Sequence, residues 1–298
     1  MRFSHWISAA HPWDEVLDRG RHVEATGWDG LWVADHFMTN AEGPNDDPMH
    51  ECFSLLAALA ATVPRVRLGS LVAGNTYRHP AVLAKQAVTI DHVSGGRMVL
   101  GLGAGWQVNE HEAYGIALGA VKERLAWFEE ACQVVTGLRD QARTTVAGER
   151  YQLTDAPLEP KPVGPLPLLI GSSGQTVMAR IVAEYAQEWN TWSTPELWLE
   201  RRQGYDRALD EAGRDPTTLH TSTQALVMVG PKGAAKAEEL AKVRPAIGGT
   251  AEQLVDTIGR WAEAGLDELI VPDFTLGSSD RAKDAMDLLI TEVAPAFR

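Results

Sequence analysis

The stretch VRLGSLVAGNTYRHPAVLAKQAVTIDHVSGGRMVLGLGAGW, residues 66–106, decides the fold class. It begins with a largely apolar run at 66–73, and a polar turn leads from there to Pro80. An amphipathic segment follows at 81–92 and a second apolar run at 98–102. Proline favours the first turn of a helix, so the stretch predicts a strand, a helix and a second strand, which is the repeating unit of a parallel sheet.

The same alternation extends over the whole chain. Strands are predicted at 2–9, 29–34, 66–73, 98–102, 166–170, 188–192, 221–229 and 266–271. Helices are predicted at 13–25, 52–62, 81–92, 122–138, 177–185, 195–212, 251–264 and 280–291, and a small hairpin within the Thr-, Gly- and Pro-containing segment 141–164. Eight strands interleaved with eight helices predict an α/β protein, a (β/α)8 TIM barrel that forms a single domain over 1–298 with insertions in its βα loops.

Composition and charge exclude several classes of partner. The chain has 27 Lys and Arg against 40 Asp and Glu, a net charge of −13, which argues against binding to nucleic acid or to an anionic membrane. The longest apolar stretch, 55–63, is too short to span a bilayer, and the first residues lack the apolar region of a signal peptide. Two cysteines, Cys52 and Cys132, do not form a disulfide framework. We therefore expect a soluble cytoplasmic protein.

The loop after the second predicted strand carries the first candidate site. It begins Asp35-His36-Phe37 and continues as a long polar segment to Glu51, and a loop of that length is typical of a lid. In a barrel the βα loops surround the active site, so we expect His36 to reach the barrel mouth. An imidazole there can donate to an oxyanion or exchange a proton, although a capping histidine is an equally simple structural role.

Small residues follow the third and fourth strands. Ala73, Gly74 and Asn75 end the third strand, and a flat ring could approach this backbone closely. A run of glycines at 101–105 ends the fourth strand.

Gly105 and Trp106 close that run, and polar groups at Asn109, Glu110 and Tyr114 follow. A dinucleotide fingerprint GxGxxG would require glycine at 106, so a Rossmann site is disfavoured.

The loop after the fifth strand, Gly171-Ser172-Ser173-Gly174, leads directly into a predicted helix. Free backbone N–H groups, two hydroxyls and the helix dipole make it a candidate phosphate site, and a plain serine N-cap is the alternative.

The remaining side chains do not indicate a metal. The sequence contains no HExxH, CxxC or HxH motif, so we predict no metal site. Five tryptophans, Trp189 included, lie in or just after predicted strands; some are candidates for an apolar pocket, and ordinary core packing is the alternative for most of them.

VADHF at 33–37, the block at 68–115 and LIGSSG at 169–174 resemble the bacterial luciferase-like monooxygenase family. Within it they are most similar to the deazaflavin-dependent oxidoreductases that use coenzyme F420. The resemblance covers nearly the whole chain, and its 68–115 block is long and specific.

The resemblance implies a flavin-like ring at the C-terminal mouth of the barrel. A non-proline cis peptide is implied around Ala73-Gly74-Asn75, His36 is implied near the redox carbon, and Glu110 beside the ring as the alternative acid/base. The loop 171–174 is implied to hold the cofactor phosphate. The chain departs from relatives at Ser172-Ser173 and at Gln187-Glu188, and both departures concern cofactor affinity.

The leading hypothesis is an oxidoreductase that moves a hydride between F420 and a small organic substrate. The predicted cofactor contacts are Asp35, Ala73, Gly74, Asn75, Gly105, Trp106, Tyr114, Gly171, Ser172, Ser173, Gly174 and Trp189. The carboxylate-bearing tail of F420 needs cations at the rim, for which Arg78 and Lys85 are the candidates. The alternatives are an FMN-dependent monooxygenase, a cofactor-binding protein without turnover and a metal-dependent hydrolase. Barrels of the family that the chain resembles commonly pair through helices early in the chain. Apolar helix faces at 50–59 and 81–93 therefore predict a homodimer.

Overall fold

A computed structural model describes residues 1–41, 43 and 46–298. Its strands are β1 (Arg2–Ile7), β2 (Gly30–Val33), β3 (Arg67–Ser70), β4 (Ala73–Gly74), β5 (Met98–Gly103), β6 (Thr144–Ala147), β7 (Gln152–Ala156), β8 (Leu168–Gly171), β9 (Glu188–Trp192), β10 (His220–Gln224), β11 (Leu226–Val229), β12 (Ala246–Gly249) and β13 (Glu268–Pro272). Its helices are α1 (Trp13–Thr26), α2 (Cys52–Thr62), α3 (Pro80–Ser94), α4 (Val108–Tyr114), α5 (Val121–Asp140), α6 (Val177–Tyr185), α7 (Pro195–Glu211), α8 (Gly233–Ala241), α9 (Ala251–Glu263) and α10 (Ser279–Leu288).

The main sheet closes on itself. Its order is β3-β2-β1-β13-β10-β9-β8-β5, and β5 returns to pair with β3. Every pairing in this ring is parallel, as helical crossovers between consecutive strands require. The predicted (β/α)8 barrel is confirmed, and the predicted hairpin is present as the antiparallel pair β6 and β7.

The third barrel strand is interrupted near its C-terminal end. The predicted strand 66–73 is divided into β3, which pairs with β2 and β5, and β4, which pairs with β5. The peptide bond between Leu71 and Val72 is cis. The cis bond therefore lies two residues before the position that the family resemblance implied.

The prediction of one seventh strand over 221–229 was wrong. β10 belongs to the barrel, whereas β11 leaves it and pairs in parallel with β12, and α8 connects the two. Ala225, between β10 and β11, is also buried. The apolar run in the sequence is therefore continuous, and it does not indicate that the chain passes from one sheet to another there. This small βαβ insertion adds α8 and β12 to the predicted elements, and α4 is a further helix that the sequence did not predict.

The helices cover the barrel with apolar faces. In α9, Leu254, Ile258 and Trp261 are fully buried at the spacing of one helical face, and Thr250 caps the helix by accepting from the backbone of Gln253.

The apolar faces of α2 and α3 that predicted a homodimer lie largely in this core. Leu55, Leu59 and Leu83 are buried there, whereas Val82 and Val93 remain exposed. The described residues include no helix long and apolar enough to cross a membrane.

Candidate active site

A cavity of about 850 Å³ lies at the C-terminal ends of the barrel strands. Most of the predicted site residues line it: Asp35, His36, Ala73, Gly74, Gly105, Trp106, Gly171, Ser172, Ser173 and Gly174. The other four do not line it, namely the buried Asn75, Glu110 and Trp189 and the exposed Tyr114. Part of the predicted lid, residues 42, 44 and 45, falls outside the described residues.

His36 and Glu110 form a hydrogen-bonded pair at the edge of the cavity. His36 Nδ1 is 2.7 Å from Glu110 Oε1, and the histidine side chain is 24% exposed while Glu110 is fully buried. The indole of Trp106 meets the imidazole edge-on at 5.6 Å between ring centres. The structure therefore brings the two predicted catalytic residues together, with only His36 facing the cavity.

Two further donors hold the Glu110 carboxylate in place. The backbone N–H of Phe37 donates to Oε2 at 2.7 Å, and the hydroxyl of Tyr77 donates to Oε1. Burial would raise the pKa of Glu110, but the hydrogen bonds from His36 and Tyr77 outweigh it and lower that pKa below its ordinary value. Burial and the adjacent Glu110 raise the pKa of Tyr77, so its hydroxyl keeps the proton that it donates. An ionised carboxylate only accepts, so in the neutral imidazole of His36 the hydrogen is held on Nδ1 and Nε2 carries the lone pair.

Asp35 forms a buried ion pair with Arg78. Arg78 binds its two oxygens at 2.6 and 2.9 Å, and the Gly74 N–H donates to it at 3.1 Å. Arg78 also pairs with Glu51, and Lys85 donates to the Glu159 carbonyl at 2.6 Å. Neither cation lines the cavity, so the prediction that Arg78 and Lys85 hold an anionic cofactor tail is not supported by their positions.

Close packing within the protein explains the small residues at the mouth. A Cβ at Gly74 would lie 2.5 Å from the ring of Tyr77. At Gly103 and at Gly171 it would lie 2.8 and 2.9 Å from Val72, which itself lines the cavity. The glycines therefore make room for Tyr77 and Val72, a tertiary requirement that differs from the ring contact that the sequence suggested.

Hydrogen bonds from β9 and α7 hold the loop 171–174 in place. The Ser172 N–H donates to the Asn190 carbonyl at 2.9 Å, and the Ser172 carbonyl accepts from Trp189 Nε1 at 3.0 Å and from the Tyr205 hydroxyl at 3.2 Å. Trp189 and Tyr205 stack with ring centres 3.8 Å apart. Trp189, one of the predicted cofactor contacts, does not line the cavity and supports the loop.

Ser173 is the part of this loop that remains available to a ligand. It is exposed, and its backbone N–H has no hydrogen-bond partner among the described residues. The Gly174 N–H donates to Ser172 Oγ at 3.1 Å, which keeps the turn compact.

Asn75 and Tyr114 have structural contacts. The Asn75 N–H donates to the Gly103 carbonyl at 2.9 Å, while its buried amide atoms have no protein partner within the described chain. Tyr114 is 59% exposed and contacts the ring of Phe37, on the loop that follows β2.

Two arginines that the sequence analysis did not select line the cavity. Arg201 on α7 donates to Thr191 Oγ1 at 2.7 Å and to the Trp192 carbonyl. The Arg244 guanidinium lies 4.9 Å from the ring centre of Trp192. Neither forms an ion pair with a carboxylate of the described residues, and burial lowers the pKa of Arg201. Both arginines lie in ordinary charged segments of the sequence, so no sequence pattern indicated that they would line the cavity.

At the opposite end of the barrel, Glu188, His220 and Glu268 present ligand atoms within 4.8 Å of one another. Arg67 fills that space, with Nη2 at 2.6 Å from Glu188 and Nη1 at 3.2 Å from Glu268. Because Glu188 belongs to this base cluster, the Gln187-Glu188 departure lies at the end of the barrel opposite the mouth.

A closed parallel barrel with a polar site at its mouth is a scaffold of (β/α)8 enzymes. The family model of the luciferase-like monooxygenases matches residues 1–292, so the chain belongs to this family.

An F420-dependent glucose-6-phosphate dehydrogenase of Microbacterium testaceum is 31% identical over 226 residues, which are 73% of this chain and 65% of that protein. The chain thus spans slightly less than two thirds of that relative's length, and 50% of a second one from Amycolatopsis mediterranei. An F420-dependent secondary alcohol dehydrogenase, solved with an F420-acetone adduct, superimposes with a TM-score of 0.85 at 21% identity, over 100% of both chains. The monooxygenase RslO1 of Streptomyces bottropensis gives 0.81 at 18%, also over 100% of both chains.

Proposed function

We propose that this chain is a coenzyme F420-dependent oxidoreductase that acts on a small organic substrate. The observation that carries the proposal is that His36, backed by Glu110, and the loop 171–174 line one cavity. The curated relatives are named as F420-dependent dehydrogenases, which supports F420 as the cofactor.

The cavity residues suit this cofactor. A volume of about 850 Å³ lies within the range of natural ligand pockets. Ser173 and the turn before α6 would hold the phosphate, and Arg201 would supply positive charge, because Tyr205 one turn later on α7 contacts the same loop. When bound, the deazaflavin supplies the hydride acceptor or donor.

In this proposal, residues of the chain accept the proton that the substrate releases when it is oxidised. His36 Nε2 is the acceptor for a substrate hydroxyl proton, and the imidazolium that forms is stabilised by the adjacent Glu110 carboxylate. Glu110 is buried and already accepts three hydrogen bonds, so in this proposal it is the positioning partner of His36. The cavity wall includes Trp6, Trp192 and Phe274, whose apolar rings would limit the contact of water with the reacting atoms.

An FMN-dependent monooxygenase is the second candidate function. The family's own description and the similarity to a monooxygenase of known structure favour it. The loop 171–174, which we call the phosphate loop, suits either cofactor, because both carry a phosphate on the chain attached to their flat ring.

Titration of the purified protein with F420 and with FMN separates the two. We expect F420 fluorescence to be quenched with a micromolar or lower Kd, and FMN to bind more weakly. Tighter binding of FMN would overturn the proposal in favour of the monooxygenase. Turnover is then assayed by F420 reduction with glucose 6-phosphate and 2-propanol, the substrate types that the relatives' names suggest. F420 binding without turnover of any alcohol tested would favour a binding protein.

A further inference from the structure

Three aromatic side chains from different strand ends form one wall of the cavity. The Trp6 ring centre is 5.6 Å from that of Trp192 and 5.1 Å from that of Phe274. Trp6 is 8% exposed and Phe274 is 46% exposed, so the group extends from the barrel interior to the rim. We refer to Trp6, Trp192 and Phe274 as the aromatic slot.

A cation lies over this slot. Arg244, which precedes β12 in the small βαβ insertion, places its guanidinium 4.9 Å from the Trp192 ring centre. It lines the same cavity and, within the described residues, no carboxylate oxygen lies within ion-pair distance of it. Stacking on Trp192 holds the guanidinium plane while its N–H groups stay available to a ligand.

The local charge of the cavity is opposite to that of the whole protein. The net charge is −13, yet the cavity lining includes Arg201 and Arg244. The carboxylate that lines it, Asp35, is neutralised by Arg78. Arg201 lies on α7, whose Tyr205 contacts the loop 171–174, and it donates to the Trp192 carbonyl, whereas Arg244 stacks on the Trp192 ring.

We propose that the aromatic slot and Arg244 form the substrate subsite, which takes an organic anion with a flat apolar body and a carboxylate or phosphate group. Aromatic side chains pack against flat apolar surfaces, and arginine binds both anions through two parallel hydrogen bonds. This inference rests on the proposed function, because it assigns the loop 171–174 to the cofactor and the slot to the substrate.

The test uses protein saturated with F420, so that no probe can occupy the phosphate loop. The probes are phenyl phosphate, phenylacetate, benzyl alcohol and inorganic phosphate, and their Kd values are measured by ligand-observed NMR. We expect one of the two aromatic anions to bind at least tenfold more tightly than benzyl alcohol, which corresponds to about 1.4 kcal/mol. Whichever of the two binds more tightly identifies the anionic group.

Three variants locate the site. Arg244→Gln should remove the preference for the anion, while Arg207→Gln, an exposed arginine on α7 that does not line the cavity, should retain it. Phe274→Leu should weaken the aromatic anion severalfold and leave inorganic phosphate unchanged. F420 affinity and circular dichroism of each variant establish that the fold and cofactor site are intact.

Failure of the subsite and failure of the proposed function give different results. If F420 binds but the aromatic anions bind no more tightly than benzyl alcohol, the subsite is wrong and the proposed function stands. The same holds if Arg244→Gln retains the preference for the anions. If Arg244→Gln weakens F420 tenfold and leaves the probes unchanged, Arg244 holds the cofactor tail and the subsite is wrong. If F420 does not bind, the proposed function fails, and the same probes on the free protein decide whether the anion pocket exists.

Discussion

Replacing Arg67 by Met should destabilise the barrel strongly, because it removes the cation from a buried cluster. The Arg67 side chain is 14% exposed, Glu188 7% and Glu268 0%. Glu268 also accepts from Trp32 Nε1 at 3.0 Å and from His220 Nε2 at 3.1 Å. Removing Arg67 leaves two carboxylates at the base of the barrel with His220 as the remaining ionisable partner.

The expected loss follows from two independent considerations. Burial would raise the pKa of Glu268, but Arg67 and then His220 lower it from 4.5 to about 2. At about 1.36 kcal/mol per tenfold change in proton affinity, that difference corresponds to about 3 kcal/mol of stability at neutral pH. Breaking a buried ion pair typically costs about 3–5 kcal/mol, which agrees. We therefore expect Arg67→Met to lower the free energy of unfolding by about 3 kcal/mol at pH 7.

The loss should also depend on pH with a definite sign. The Glu268 contribution is fully present above about pH 4.5 and disappears as the pH falls toward 2. The difference between wild type and Arg67→Met should therefore shrink as the pH is lowered below about 4.5.

Urea unfolding followed by circular dichroism measures these values. Arg180→Met is the control, because Arg180 and Glu129 form an exposed pair worth about 1 kcal/mol or less. The triple variant Arg67→Met/Glu188→Gln/Glu268→Gln should recover most of the loss, since it removes the buried charges as well. A loss below about 1 kcal/mol at pH 7, or one that neither acid nor the triple variant reduces, would refute the reasoning.

Four further outcomes are expected. His36→Ala should lower turnover by about 10² to 10⁴ with F420 affinity little changed, and Glu110→Gln should lower it less, because the amide still accepts from Nδ1; equal losses in steady-state assays would instead make Glu110 the proton carrier. Ser173→Asp should weaken F420 binding about tenfold or more through repulsion of the phosphate, whereas Thr217→Asp, exposed at the opposite end of the barrel, should not; fluorescence titration of both variants decides this. Burial lowers the pKa of His5 from 6.5 to about 4, so stability should fall by about 3 kcal/mol between pH 6.5 and pH 4, and unfolding of His5→Phe should lack this dependence. The protein should be a homodimer by light scattering at micromolar concentration, and a monomeric mass would contradict that expectation.

The sequence determined the barrel because its evidence is local and repeated. Apolar runs of strand length alternate with amphipathic segments along the whole chain, and only one common architecture uses eight such units in a closed parallel ring. The same logic placed His36 and the loop 171–174 at the mouth, because residues that follow a barrel strand must lie there.

The partners of those residues depend on contacts between distant parts of the chain. His36 and Glu110 are 74 residues apart, and no local pattern shows that the carboxylate lies behind the imidazole rather than in the cavity. From its charge and its place in the sequence, Arg78 was a candidate cation at the rim, yet Asp35 and Glu51 bind it. Arg244 has no sequence signal, and it reaches Trp192 because β11 leaves the barrel after Ala225. Periodicity records which face of an element is buried, whereas the identity of a charged group's neighbour is decided when the strands close into a ring, and only the tertiary structure contains that information.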